Sequence, residues 1–155
     1  MSVSPNEVEP LRATAPAGRE VVAVVLTWRG RVGLFKRSGA VGHDAGKWHC
    51  ISGHVDSGAG PYRQAVQEIW EETGLRFADM DVFEAGPTLR LPDARDGLPW
   101  RVHTFRANTT RRRVRLNWEH VAHRWVRPCD VPRFSGQVGW LGEVLAAVGE
   151  SGRTA

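Results

Sequence analysis

Cysteine is scarce in this chain: Cys50 and Cys129 are the only two, and they stand far apart. That excludes a disulfide framework and any C-x-x-C metal site, and it predicts two reduced thiols. Long apolar runs are lacking as well. The longest aliphatic stretch, Val21 to Leu26, is far too short to cross a bilayer. The opening MSVSPNEVEPLRATAPAG carries prolines and charges where a signal peptide has its apolar core, so a cytoplasmic location without a membrane partner is expected. No internal repeat is visible, which excludes a repeat architecture.

What is present fits one globular unit. A length of 155 residues suffices for a domain with its own core, and 41% hydrophobic with 25% charged residues is an ordinary balance. The 21 Lys and Arg against 17 Asp and Glu give a net charge of +4, which favours an anionic partner without choosing between nucleotide, RNA and lipid head group. Residues 1 to 18, with three prolines and little to bury, read as a flexible tail. The domain is expected over 19 to 149, with 150 to 155 as a second tail.

Within the domain, valine-rich Glu20 to Trp28 reads as a buried strand, Arg29-Gly30-Arg31 as a turn and Val32 to Arg37 as a returning strand. Ser38 to Gly46, rich in glycine, should be a mobile loop. Trp48 to Ile51 reads as a brief strand and Tyr62 to Thr73 as a helix. Met80 to Leu91 and Trp100 to Arg106 read as paired strands joined by the turn-rich PDARDG. Val121 to Val126 is a further strand. Trp140, Leu141, Val144, Leu145 and Val148 recur at helical spacing, which predicts a closing amphipathic helix over Gly139 to Val148. Strands flanked by two helices imply a mixed sheet in an α/β fold.

The chemistry concentrates in GHVDSGAGPYRQAVQEIWEETGL, Gly53 to Leu75. Glu68, Glu71 and Glu72 stand at i, i+3 and i+4, so about a third of the helix circumference holds three carboxylates. A hard divalent cation such as Mg²⁺ or Mn²⁺ takes oxygen ligands of this kind and shares them with substrate phosphates. Such a cluster alone is more commonly a solvated face. Here Gly53, Gly58, Gly60 and Pro61 build a tight loop into the helix, and Gly74 supplies its end, so loop and helix form one unit.

This segment resembles the Nudix box, G-x5-E-x7-R-E-U-x-E-E-x-G-U with U aliphatic. Gly53, Glu68, Ile69, Glu71, Glu72, Gly74 and Leu75 match, whereas Ala59 replaces the first glutamate and Gln67 the arginine. The resemblance implies a Nudix-type α/β/α sandwich with a mixed β-sheet and metal-dependent hydrolysis of a diphosphate bond in a nucleoside diphosphate linked to another group. It implies Glu68 and Glu72 as ligands, the Gly53 carbonyl as an addition, and Glu71 as a third ligand or a water-orienting base. Family members often add an acid from a later loop, for which Glu119 in LNWEH is the candidate. In the family the two missing side chains brace the carboxylates, so their absence points to an altered brace with the ligands kept.

Other candidates are weaker. Lys36 and Arg37 end a strand from which a guanidinium could grip phosphate. Trp28, Trp48, Trp100 and Trp118 could stack on a base, although tryptophans usually serve packing. His49 and His54 flank the entry to the box, and His120 with His123 reads as structural or solvent-facing. Arg111, Arg112, Arg113 and Arg115 form the densest cationic run, open to RNA but more commonly a solvated loop. The neighbouring residues do not select a substrate: Pro92 lies beyond the place expected for an ADP-ribose hydrolase, and the single tyrosine, Tyr62, is inside the box. A small nucleotide of the (d)NTP type is the expected substrate. The alternatives are a catalytically weakened nucleotide-binding sensor, an RNA 5′-end pyrophosphohydrolase, and, as assembly, a homodimer.

Overall fold

The alternation of buried valines in β1 (Glu20–Trp28) decides the architecture. Val22, Val24 and Leu26 join one core cluster and Ala23 and Val25 another, so both faces of this strand are covered. The computed structural model describes residues 19–56 and 58–151. The expected tail over 1 to 18 lies outside them, as do residues 152 to 155.

A seven-stranded mixed sheet runs β3 (Trp48–His49), β2 (Arg31–Arg37), β1, β6 (Pro99–Thr109), β5 (Met80–Pro92), with β4 (Ile51–His54) paired to β1 and β7 (His120–Val126) to β2. Only β1 and β6 pair in parallel; the other pairs are antiparallel. Helix α1 (Pro61–Thr73) buries Ala65 and Ile69 on the Val22 face, while α2 (Leu141–Ala147) buries Leu141, Val144 and Leu145 on the Ala23 face. The fold is thus an α/β/α sandwich. Each fully buried Ile, Leu or Val contributes about 1.5–3 kcal/mol, which fixes both helices to the sheet.

The expected strand over Trp48 to Ile51 is two strands broken at Cys50. Trp48–His49 pairs with β2 and Ile51–His54 crosses to pair with β1, so the chain changes partners at a residue that hydrophobicity cannot distinguish. This break aims Gly53 at α1. The loop after β2 is closed at its base, where the Gly46 N–H donates to the Arg37 carbonyl and the Arg37 N–H to that of Lys47, both at 2.9 Å. Glu150 is tied to the end of α2 through its N–H to the Leu145 carbonyl at 2.8 Å. Among the described residues no helix is long and apolar enough to cross a membrane.

Candidate active site

Helix α1 starts with Pro61 in its first turn and ends at Gly74, whose φ of 75° is the left-handed conformation that glycine adopts without strain. Its placement against β4 is close: a Cβ at Gly53 would overlap the Glu68 carboxylate. A side chain there would displace the Glu68 carboxylate from its present position. The Gln64 amide, one turn before Glu68, donates to Glu68 Oε2 at 2.8 Å, and its own oxygen accepts the Asp56 N–H at 3.2 Å. Gln64 thereby clamps Glu68 to the loop.

The three glutamates of the helix separate. Glu68 and Glu72 are buried, whereas Glu71 is exposed and accepts a hydrogen bond from the Gln67 amide at 2.7 Å. The third carboxylate of the group is Glu119: oxygens of Glu68, Glu72 and Glu119 lie within 4.8 Å of one another. Three glutamates do converge, but the shared helix face holds two of them, because the flank carrying Glu71 turns away from the sheet. Glu119 sits just before β7, where the Asn117 side chain donates to its Oε1 at 3.0 Å and accepts its N–H at 3.0 Å.

Electrostatically this centre is unbalanced. Burial is the main cause that raises the Glu68 carboxyl, against the lowering contacts of Glu72 and Gln64. Burial, then the contact with Glu68, pushes Glu72 well above the ordinary carboxylate range. Glu72 Oε2 is buried without a hydrogen-bond partner, a condition that costs about 1–3 kcal/mol for a neutral group and more for a charged one. Buried, convergent oxygen donors with an unmet lone pair suit a hard divalent cation, so the residues fit the group that the box implies.

His120 lies beside the carboxylates and is not solvent-facing. Its side chain is fully buried, Nε2 lies 3.6 Å from Glu72 Oε1, and neither ring nitrogen has a hydrogen-bond partner. Burial first, then Arg37 and His123, lowers its pKa to about 4, so the ring is neutral at physiological pH. His123 is held by the Leu34 carbonyl at 3.2 Å. His49 packs edge-on against Trp140 at 4.6 Å and has a pKa lowered to about 3, chiefly by burial. His54 is exposed beside Trp100, with ring centroids 5.6 Å apart.

Of the phosphate-gripping candidates, Arg37 is brought near the carboxylates. It is buried opposite His120 in the β2–β7 pair, its Nε donates to the His43 carbonyl at 3.3 Å, and its charge acts on Glu72 and His120. Lys36 and Trp48 are not brought to the carboxylates. They pair directly across β2 and β3 on the α2 face, where Trp48 meets Phe134 edge-on at 5.0 Å. Strand alternation is the reason: neighbours on β2 face opposite ways. Trp118, 66% exposed and adjacent to Glu119, is the tryptophan at the rim. No local sequence signal marks Asn117 or His120 as part of the centre, and for Gln64 the signal is its i+4 step to Glu68.

The class defined here is a mixed-sheet α/β/α sandwich that buries carboxylates of one helix against a glycine of the sheet. The sequence matches the NUDIX domain over residues 16–147, and the chain belongs to that family. Solved structures share the fold. The MutT NUDIX hydrolase from Burkholderia pseudomallei is 24% identical, covering 84% of this chain and 97% of its own, with a TM-score of 0.68. A C. elegans Ap4A hydrolase is 19% identical over 84% of this chain and 94% of its own, with a TM-score of 0.66. The E. coli dihydroneopterin triphosphate pyrophosphohydrolase is 16% identical over 84% and 92%, with a TM-score of 0.68.

Proposed function

We propose that this NUDIX-family pyrophosphohydrolase hydrolyses a diphosphate bond of a small nucleotide of the (d)NTP type, with Mg²⁺ or Mn²⁺ held by Glu68, Glu72 and Glu119 and by the Gly53 carbonyl. The observation that carries the reading is the convergence of three carboxylates around a buried oxygen with no partner. The cation, when bound, neutralises phosphate oxygens and polarises water for attack at phosphorus. Water adds to phosphorus, the bond to the bridging oxygen breaks, and the departing phosphate keeps that oxygen.

The chain's own groups take the remaining roles. Glu119, held by Asn117, orients the attacking water and accepts its proton. Arg37 steadies a phosphate, and Trp118 offers a face for the base. The similar proteins named above act on a triphosphate and on Ap4A, which supports a nucleotide-type substrate for this chain. Gln67, which stands where the box has arginine, engages the exposed Glu71 and not the buried carboxylates, which supports this reading.

The test is release of pyrophosphate or phosphate across a nucleotide panel with Mg²⁺. Glu68→Gln and Glu72→Gln keep size and remove charge, so each should lower the rate on the order of a hundredfold or more. Wild-type turnover in Glu72→Gln contradicts the assignment.

A further inference from the structure

The arginine run takes no part in the site just described, yet it is fixed in place. The Arg112 carbonyl accepts the Trp125 indole N–H at 2.9 Å, and the Arg115 N–H donates to the Thr73 carbonyl at 2.8 Å, so the segment is pinned at both ends without being a strand. A merely solvated loop needs no such anchors. Between the anchors Arg112 and Arg113 are exposed.

The segment lies beside an aromatic platform at the β1–β2 turn. The Arg112 guanidinium sits 5.8 Å from the Trp28 ring centroid and that of Arg29 5.2 Å from it, while Trp28 and Trp125 are 5.7 Å apart. Gly33 lies beneath Trp125, where a Cβ would stand 3.2 Å from the indole and be a tight contact. Arg31, paired with Trp28 across the turn, adds a further exposed cation. Among the described residues none of Arg29, Arg31, Arg112 and Arg113 has a carboxylate within ion-pair distance.

We propose that Trp28, Trp125, Arg29, Arg31, Arg112 and Arg113 form a docking surface for single-stranded nucleic acid. Cations spread along a pinned segment match a repeating phosphate charge better than one small anion. A guanidinium already laid on an indole presents its outer face to an unpaired base and its N–H edge to phosphate. Lys36 and Lys47 are the only lysines, so the basic surface is built from the planar cation that stacks. An anionic membrane would draw on the charge but not on the stacked geometry. The surface stands apart from the carboxylates and does not depend on the hydrolytic reading.

The test is fluorescence anisotropy of a labelled oligouridylate of about 12 nucleotides in EDTA, where metal-dependent turnover is silent. The wild type should bind, and Arg112→Glu with Arg113→Glu should weaken binding at least about tenfold and flatten the salt dependence by about 1.4 log units per log unit of salt. Arg29→Lys with Arg112→Lys keeps the charge and loses the plane, and should weaken binding at least about threefold. Melting temperature and hydrolysis of a mononucleotide should be unchanged in both variants. Absence of wild-type binding, an unaffected Arg112→Glu, Arg113→Glu variant, or a charge-only Lys variant equal to wild type overturns the proposal. Equal competition by an abasic strand makes the surface a plain ion exchanger, and equal competition by phosphatidylserine vesicles makes it a membrane contact; either result also overturns it.

Discussion

Two groups of acids in this molecule meet opposite fates. At the β5–β6 hairpin, Asp93 pairs with Arg95 at 3.1 Å and with Arg19 at 3.7 Å and accepts the Trp100 indole N–H at 2.8 Å, while Asp96 pairs with Arg19. Arg95 and then Trp100 hold the Asp93 carboxyl far below its usual range, and Arg19 lowers Asp96. At α1, Glu68 and Glu72 are buried and raised, with no salt bridge to an arginine or lysine among the described residues. The hairpin acids are satisfied by the chain itself. The α1 acids have no such partners among the described residues and form a group that could hold a cation.

After the Glu68 and Glu72 exchanges, the largest separation between the regions should appear at Glu119. Glu119→Gln should lower the hydrolysis rate about 10–100-fold with little change in nucleotide affinity, and it should flatten the acidic limb of the pH–rate profile. An unchanged profile returns Glu119 to a surface role. Glu71, one residue from Glu72 but exposed, should behave like a hairpin acid. Glu71→Gln is expected to change the rate by less than about threefold, since the Gln67 contact is a surface hydrogen bond. A hundredfold loss would place Glu71 in the machinery that Glu68 and Glu72 form. At the hairpin, Asp93→Asn should lower the melting temperature by about 2 °C and leave metal affinity alone. Because its folded pKa is depressed, that contribution is present above the unfolded pKa of 3.8 and lost as pH falls below it. Melting curves of the two proteins should therefore converge in acid.

The sequence resolved elements better than it resolved faces. The limits of β1 and α1 were legible because valine runs and the Pro61 and Gly74 boundaries are local signals. Trp48 and Lys36 lie away from the carboxylates, on a side set by pairing across β2 and β3, which no local pattern encodes. Glu71 shares an arc with Glu68 and Glu72 on an isolated helix, and only the sheet behind α1 separates them. His120 looked ordinary because its role depends on β7 lying next to β2, bringing it to Glu72 from 48 residues away in sequence. Glu119 is a candidate through the family pattern, whereas its Asn117 brace depends on the local turn before β7.

The central claim is that burying Glu72 creates a demand for a cation. A carboxyl whose folded pKa is raised destabilises the fold once it ionises, so the penalty grows as pH climbs from the unfolded pKa of 4.5 through the folded one. The direct test is the melting temperature of wild type and Glu72→Gln at several pH values, in EDTA and in Mn²⁺. In EDTA the variant should gain on the wild type as pH rises, and Mn²⁺ should raise the wild type while leaving the variant nearly unmoved. A variant that is less stable in EDTA at every pH, and that Mn²⁺ raises as much as the wild type, would contradict the account.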